Sequence, residues 1–143
     1  FNNVWTALSE TFPDRPALVC EGETVTWGQF NDRAARLAGL FNDNGVTNGA
    51  SVGLYMLNCN EYTEAHFGCF KQSVCPVNVN YRYRAEELIY LLDNSDAEVV
   101  IYHASYAPRI AEIRDSLPKI KLYIPGEDAW GSAQIATRWR PGL

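Results

Sequence analysis

From residue 51 onward, short apolar runs alternate with amphipathic segments long enough for one helix each, and this alternation restricts the fold more than any other feature. The runs are Ser51 to Leu57, Val74 to Val79, Val99 to His103 and Lys121 to Ile124. Each is too short for an ordinary helix and too apolar for a loop, so each reads as a strand. Val99 to His103 is apolar nearly throughout, the pattern of a strand covered on both faces. The segments between the runs carry a helical period. Asn60 is placed to cap a helix to about Ser73, and residues 85 to 94 turn Leu88, Ile89 and Leu92 inward. Ser105 is placed to cap a helix whose Ile110, Ile113 and Leu117 form one stripe before Pro118. Strands joined through helices pair in parallel by right-handed crossovers. The predicted fold is therefore α/β: a layered, mostly parallel, doubly wound sheet with flanking helices.

The first fifty residues follow another pattern. Asn2 or Asn3 is placed to cap a short helix carrying Val4, Trp5, Leu8 and Phe12, which Pro13 and Pro16 end. Ala17 to Cys20 and Glu23 to Thr26 flank Glu21-Gly22 and predict a small β-hairpin, with the glycine supplying positive φ. Thr26 and Gln29 have capping-box spacing. The helix they start places Phe30, Ala34, Leu37 and Phe41 on one face, turns Asp32, Arg33 and Arg36 away, and stops at Asn44-Gly45.

Composition narrows the function classes. Net charge is -5 and the 12 lysines and arginines are scattered, so there is no electrostatic footprint for nucleic acid. No apolar stretch approaches the roughly 20 residues that span a bilayer, and no signal pattern opens the chain, which makes the cytoplasm the expected compartment. Cys20, Cys59, Cys69 and Cys75 sit in apolar runs without CxxC spacing, as reduced, buried thiols do. The chain opens at Phe1 and closes on Pro141-Gly142-Leu143, and both ends read as cuts. Residues 125 to 143 hold no period and read as an irregular tail in which Trp130 and Trp139 await a docking partner.

Chemistry-bearing residues are few. None of the strand-to-helix turns carries GxGxxG or GxxxxGK[ST], so neither a Rossmann cofactor site nor a Walker-type loop is supported. His66 and Cys69 stand at i, i+3, and Glu61 or His103 would be further metal ligands. Both share a stripe with Tyr62, Ala65 and Phe70, and core packing explains them better. Glu86 and Glu87 fall in a helix's first turn, where acids offset the dipole, so neither they nor Asp93 needs an acid/base role. Two histidines in different elements assemble no catalytic triad. Tyr81-Arg82-Tyr83-Arg84 follows a strand, where a cation between aromatic rings suits a phosphate or adenine; a solvated loop with packed tyrosines explains the same residues.

Read in order, these segments resemble the opening of acyl-CoA synthetases and their adenylate-forming relatives over about residues 3 to 124. Phe12-Pro13-Asp14-Arg15-Pro16-Ala17-Leu18 resembles the family's turn into its hairpin, and Val25-Thr26-Trp27-Gly28-Gln29-Phe30 its first signature. Gly49-Ala50-Ser51-Val52 is similar to the Gly-Asp-x-Val that leads into a strand, and Asn58-Cys59-Asn60-Glu61-Tyr62 to Asn-x-x-Glu-aromatic. Lys71 through Asn80 resembles the signature ending in Pro-Val-Asn. Ala85-Glu86-Glu87-Leu88 and Asp93-Asn94-Ser95-Asp96-Ala97 resemble the helix and turn that follow. Asn78-Val79-Asn80-Tyr81-Arg82-Tyr83 is closest to the fatty-acyl or steroid-acid branch. Two departures are Ala50 for the usual Asp and Ser73 for the usual Gly, which implies somewhat looser turns.

The resemblance implies that residues 1 to 143 are an incomplete N-terminal portion of an AMP-binding, adenylate-forming domain. It implies a two-step reaction for the whole protein, in which a fatty or steroid-type carboxylate and ATP, assisted by Mg2+, give an acyl-adenylate, and CoA then displaces AMP. The phosphate loop, adenine-reading aromatic, ribose-binding Asp and catalytic Lys lie later in such chains. No catalytic residue is therefore expected here, the segment alone is expected to bind no cofactor and to be inactive, and acid, ATP and CoA would meet the missing part. Arg82 matches an arginine that lies near the CoA nucleotide in some relatives, and it is the one ligand-contacting residue the resemblance implies. The alternative is a non-catalytic α/β binding or interaction module.

Overall fold

The structure is a computed structural model, and it describes residues 1–126. Four parallel strands form the main sheet: β3 (Ser51–Tyr55), β4 (Cys75–Asn78), β5 (Ala97–Tyr102) and β6 (Leu122–Pro125), in the order β4-β3-β5-β6. The three strands read from Ser51 to Leu57, Val74 to Val79 and Val99 to His103 thus lie side by side in one direction. β3 pairs with β4 from Ser51 opposite Cys75 to Leu54 opposite Asn78, and with β5 through Tyr55 opposite Tyr102.

Both faces of the sheet are covered. On one face Val52, Leu54, Val99, Ile101 and Ile124 pack against α2 (Trp27–Asp43) and α3 (Asn60–Gln72). On the other, Tyr55, Ala97 and Val100 pack against α4 (Ala85–Asn94) and α5 (Ala107–Ile113), through Leu88, Leu92, Ile110 and Ile113. Period-2 alternation along β3 divides its side chains between the two layers, which is why the run reads as continuously apolar. Glycine is needed at two close approaches. A Cβ on Gly53 would stand 2.6 Å from Leu92 Cδ2, and one on Gly68 2.7 Å from Leu37 Cδ2, so at these two points α4 approaches the sheet, and α2 approaches α3, more closely than a side chain would allow.

α1 (Asn2–Thr11) and the hairpin β1 (Pro16–Cys20) and β2 (Glu23–Thr26) close the α2 and α3 layer, where Val25, Phe30, Ala34 and Phe67 are buried beneath Trp5, Leu18 and Trp27. The turn uses positive φ at both Glu21 (48°) and Gly22 (86°), the primed geometry that suits strand twist. The capping box forms: Thr26 N–H donates to Gln29 Oε1 at 2.9 Å and Gln29 N–H to Thr26 Oγ1 at 3.3 Å. At the far end of α2, Gly45 at φ 69° brings Val46 N–H to the Phe41 carbonyl at 3.0 Å and buries Val46, completing a Schellman stop.

Several local expectations are corrected. Phe1, not Asn2 or Asn3, is the N-cap of α1, and Val4 and Phe12 are exposed while Ser9 is buried. Arg33 does not face away from the protein: its Nη1 lies 2.8 Å from Oε1 of Glu64, which is fully buried on α3. Asn60 is the first residue of α3 rather than its cap, Cys59 holds the cap position without a side-chain bond, and Ser73 ends the helix in the left-handed region. His103 takes the capping role assigned to Ser105, with Nδ1 accepting from Ser105 N–H at 3.3 Å, and 3-10 turns flank a shorter α5. Of the four cysteines only Cys69 is buried; Cys20 and Cys59 are half-buried and Cys75 is exposed. Pro125, read as the first residue of an irregular tail, instead closes β6 opposite Tyr102, and residues 127 to 143 of that expected tail, with Trp130 and Trp139, lie outside the described residues.

Candidate functional site

The strand order creates one crevice. The chain leaves β3 through α3 on one face to reach β4, then returns across the other face through α4 to β5. The connections after β3 and β5 therefore diverge, and ligands in doubly wound sheets bind at the carboxyl ends where this happens. Three stretches meet there: Tyr55 at the end of β3, the loop 80–84 after β4, and His103 to Arg109 after β5.

Tyr55 is fully buried, and its hydroxyl needs partners at that depth. It donates to the Tyr83 carbonyl at 2.8 Å and accepts from Arg109 Nη1 at 2.7 Å. The same Nη1 reaches the Tyr81 carbonyl at 3.2 Å and that of Tyr83 at 3.4 Å. The Arg109 guanidinium lies 5.3 Å from the ring centroid of Tyr106, which packs 4.6 Å from the ring of Tyr55. The hydrogen bond that Arg109 donates to Tyr55 is the main cause that raises the Arg109 pKa, and burial is the main cause that raises that of Tyr106. Among the described residues Arg109 forms no ion pair, so its charge is met by neutral oxygens.

The loop itself is built from two turns. Asn80 Oδ1 accepts from Arg82 N–H at 3.0 Å, and its carbonyl accepts from Tyr83 N–H at 3.0 Å. This leaves the Arg82 side chain exposed, with its guanidinium 5.5 Å from the ring centroid of Tyr81. A cleft of about 270 Å³ opens beside the loop, lined by Arg84, Ala85, Arg109 and Glu112.

The other candidates are explained by local roles. Glu87 Oε2 accepts from Arg84 N–H at 2.9 Å and so closes the first turn of α4, Glu86 is exposed in that turn, and Asp93 pairs with Lys119 at 3.1 Å. His66 Nδ1 lies 2.8 Å from the Tyr62 carbonyl, with its ring against Tyr62 and Phe70. Cys69 is in the core, where burial pushes its thiol pKa upward. Burial first, and a hydrogen bond with Glu61 second, push Cys59 up to about 12. Among the described residues no three of His, Cys, Asp and Glu gather as metal ligands. The sequence reading missed Tyr55, Tyr106 and Arg109. The available signal was a tyrosine ending an apolar strand, because a hydroxyl buried there requires a partner.

Residues 5–139 match the family of AMP-binding enzymes. The chain belongs to that family. This AMP-binding enzyme chain is 40% identical over 116 residues to a 3-oxocholest-4-en-26-oate–CoA ligase of Rhodococcus rhodochrous, covering 81% of this chain and 21% of that protein. It is 36% identical over 139 residues to the medium-chain acyl-CoA ligase Mig of Mycobacterium avium, covering 88% of this chain and 25% of the relative. The solved Mycobacterium tuberculosis fatty acyl CoA synthetase superposes with a TM-score of 0.84 at 28% identity, over 98% of this chain and 28% of that one. The chain thus spans between a fifth and a quarter of the length of these curated relatives. The turns that hold Ala50 and Ser73 meet in space: Gly49 N–H donates to the Ser73 carbonyl at 2.9 Å. No helix among the described residues is long and apolar enough to cross a membrane.

Proposed function

We propose that the protein containing this chain is an AMP-forming acyl-CoA synthetase acting on a fatty or steroid-type carboxylic acid. The observation that carries the reading is identity of 36 to 40% with proteins named as CoA ligases for such acids. In the first step a carboxylate oxygen attacks the α-phosphorus of ATP and pyrophosphate leaves. In the second, the CoA sulfur attacks the acyl carbonyl, the thiol proton is lost and AMP leaves.

The described residues serve this chemistry as scaffold and rim. The doubly wound sheet holds the loop 80–84 at the crevice, and Arg82, exposed and cationic, contacts the CoA nucleotide. A guanidinium suits a phosphate by charge and by its fork of donors. The whole of residues 1 to 143 belongs to the adenylate-forming domain in this reading. Magnesium finds no carboxylate cluster among the described residues. Four free cysteines support a reducing, cytoplasmic setting.

Incubating the whole protein with ATP, CoA and a panel of fatty and steroid acids tests the reading. Acid-dependent pyrophosphate release, followed by thioester formation only when CoA is present, is the expected result. Silence with every acid contradicts it and favours a non-catalytic α/β module.

A further inference from the structure

We propose that Arg109 and Tyr55 form a positioning pair that pins the 80–84 loop and so sets where Arg82 presents its charge. The inference rests on the reading of Arg82 as a CoA contact and deepens it.

Arg82 is held to the protein by little of its own. Its backbone N–H is bound by the Asn80 side chain, and among the described residues its guanidinium meets only the neighbouring ring of Tyr81, which is itself 41% exposed. An exposed five-residue loop held by two local turns would sample many conformations. Two carbonyls of this loop, those of Tyr81 and Tyr83 on either side of Arg82, are held by groups from elsewhere in the fold. Tyr55 lies 28 residues from Tyr83, and Arg109 lies 54 residues from Tyr55. Three elements consecutive across the sheet edge are thus tied at one point: the end of β3, the loop after β4 and the start of α5.

The donor arithmetic makes this a fixed arrangement. Tyr55 has one hydroxyl hydrogen, directed to the Tyr83 carbonyl at 2.8 Å with the Tyr81 carbonyl at 3.3 Å, so it stays within the loop, and the hydroxyl oxygen accepts from Arg109. Arg109 Nη1 has two hydrogens, one directed to Tyr55 and the other to the Tyr81 and Tyr83 carbonyls. Tyr106 stacks on Tyr55 and against the Arg109 guanidinium, which limits how either side chain can swing. Arg109 therefore acts through the loop, and it keeps its positive charge beside the place where Arg82 emerges. A pinned loop presents Arg82 already ordered, so binding does not first have to order it.

The test uses the whole protein and three variants, Arg109→Gln, Arg109→Lys and Tyr55→Phe, the last being the mildest. In Arg109→Gln, amide exchange at residues 80–84 should accelerate about tenfold while that of α2 and α3 is unchanged. KM for CoA should rise about fivefold, with kcat and KM for ATP within about twofold. Arg109→Lys retains a charged donor and should bring KM for CoA back to within about twofold of the parent. Tyr55→Phe should shift exchange and KM in the same direction as Arg109→Gln. In an Arg82→Ala background, Arg109→Gln should add no further rise in KM for CoA, because the pair acts through that residue. Unchanged exchange at 80–84 in both Arg109→Gln and Tyr55→Phe overturns the pin, whatever Arg82 contacts. Faster exchange with KM for CoA unmoved, or an equal further rise in the Arg82→Ala background, overturns its functional half. If Arg82→Ala alone leaves KM for CoA unchanged while exchange still responds, the CoA reading has failed and the pin stands as structure only.

Discussion

Arg33 and Arg109 each reach from a helix to a fully buried side chain, yet their surroundings treat the charge in opposite ways. Arg33 meets a carboxylate: Glu64 lies inside the α2 and α3 layer at 2.8 Å, with Glu23 of the hairpin at 3.5 Å. Burial pulls its pKa down, and the hydrogen bond and charge of Glu64 outweigh that pull. Arg109 meets a hydroxyl and two carbonyls instead, at the rim of the crevice. The first arrangement cancels a charge within the packing and ties three elements of the N-terminal layer together. The second satisfies the donors and leaves the positive charge in place, which is what an anion at a sheet's carboxyl edge requires. One guanidinium is spent on holding the fold and the other on shaping a site.

Cys59 measures how far the positive charge at the rim extends, because it lies on the same carboxyl edge, just past β3. Its thiol is pushed from 9.0 to about 12 by burial and by Glu61, the opposite of what a neighbouring cation does to a thiol. At pH 8 its alkylation by iodoacetamide should be roughly a thousandfold slower than that of an unhindered thiol. A thiol kept protonated in the fold contributes stability below pH 9 that is lost as pH rises towards 12. Rapid labelling of Cys59 by peptide mapping would extend the positive field beyond Arg109 and blur the comparison.

The next largest effect separates the two arginines by stability. Glu64→Gln leaves Arg33 with the half-exposed Glu23 at 3.5 Å as its carboxylate partner and should lower unfolding stability by about 2 kcal/mol in denaturant titration. Tyr55→Phe removes one hydroxyl at the other site and should lower it by about 1 kcal/mol. Equal losses would mean that both clusters are structural.

How much of this was legible in the sequence depends on distance along the chain. The parallel sheet could be read because β3, β4 and β5 carry their signal within a few residues each, and the α2 capping box because Thr26 and Gln29 are three apart. Helix caps at Asn60 and Ser105 were misplaced by a residue or two, since any polar side chain near a helix start fits the pattern and only backbone geometry selects one. Arg33 was read as solvent-facing because its helical position predicts that, and nothing nearby announces a glutamate 31 residues later on the buried side of α3. α3 itself is buried on a wider face than its Tyr62, His66 and Phe70 stripe suggests, because it packs between the sheet and α2. The Arg109 to Tyr55 bond was invisible for the same reason as the Arg33 pair. Arg82 is singled out by resemblance alone, and its surroundings become visible only through the fold.

The smallest effect concerns a turn remote from the crevice. Ser73 holds φ at 59°, where a side chain is disfavoured, and Ser73→Gly should raise stability by about 0.5 kcal/mol through relief of that strain, net of the glycine's greater unfolded freedom. Steady-state KM for CoA in Ser73→Gly should equal that of the parent, since the turn lies at the opposite, amino end of the strands. A changed KM would show that the crevice senses the whole sheet and not only its own rim.

The central claim is that the rim of this sheet presents Arg82 to the CoA nucleotide. Its most direct test is KM for CoA, measured with ATP and acid saturating, in the whole protein carrying Arg82→Ala. Loss of one charged contact predicts a rise of about tenfold with KM for ATP unmoved. A KM for CoA equal to that of the parent would contradict the claim.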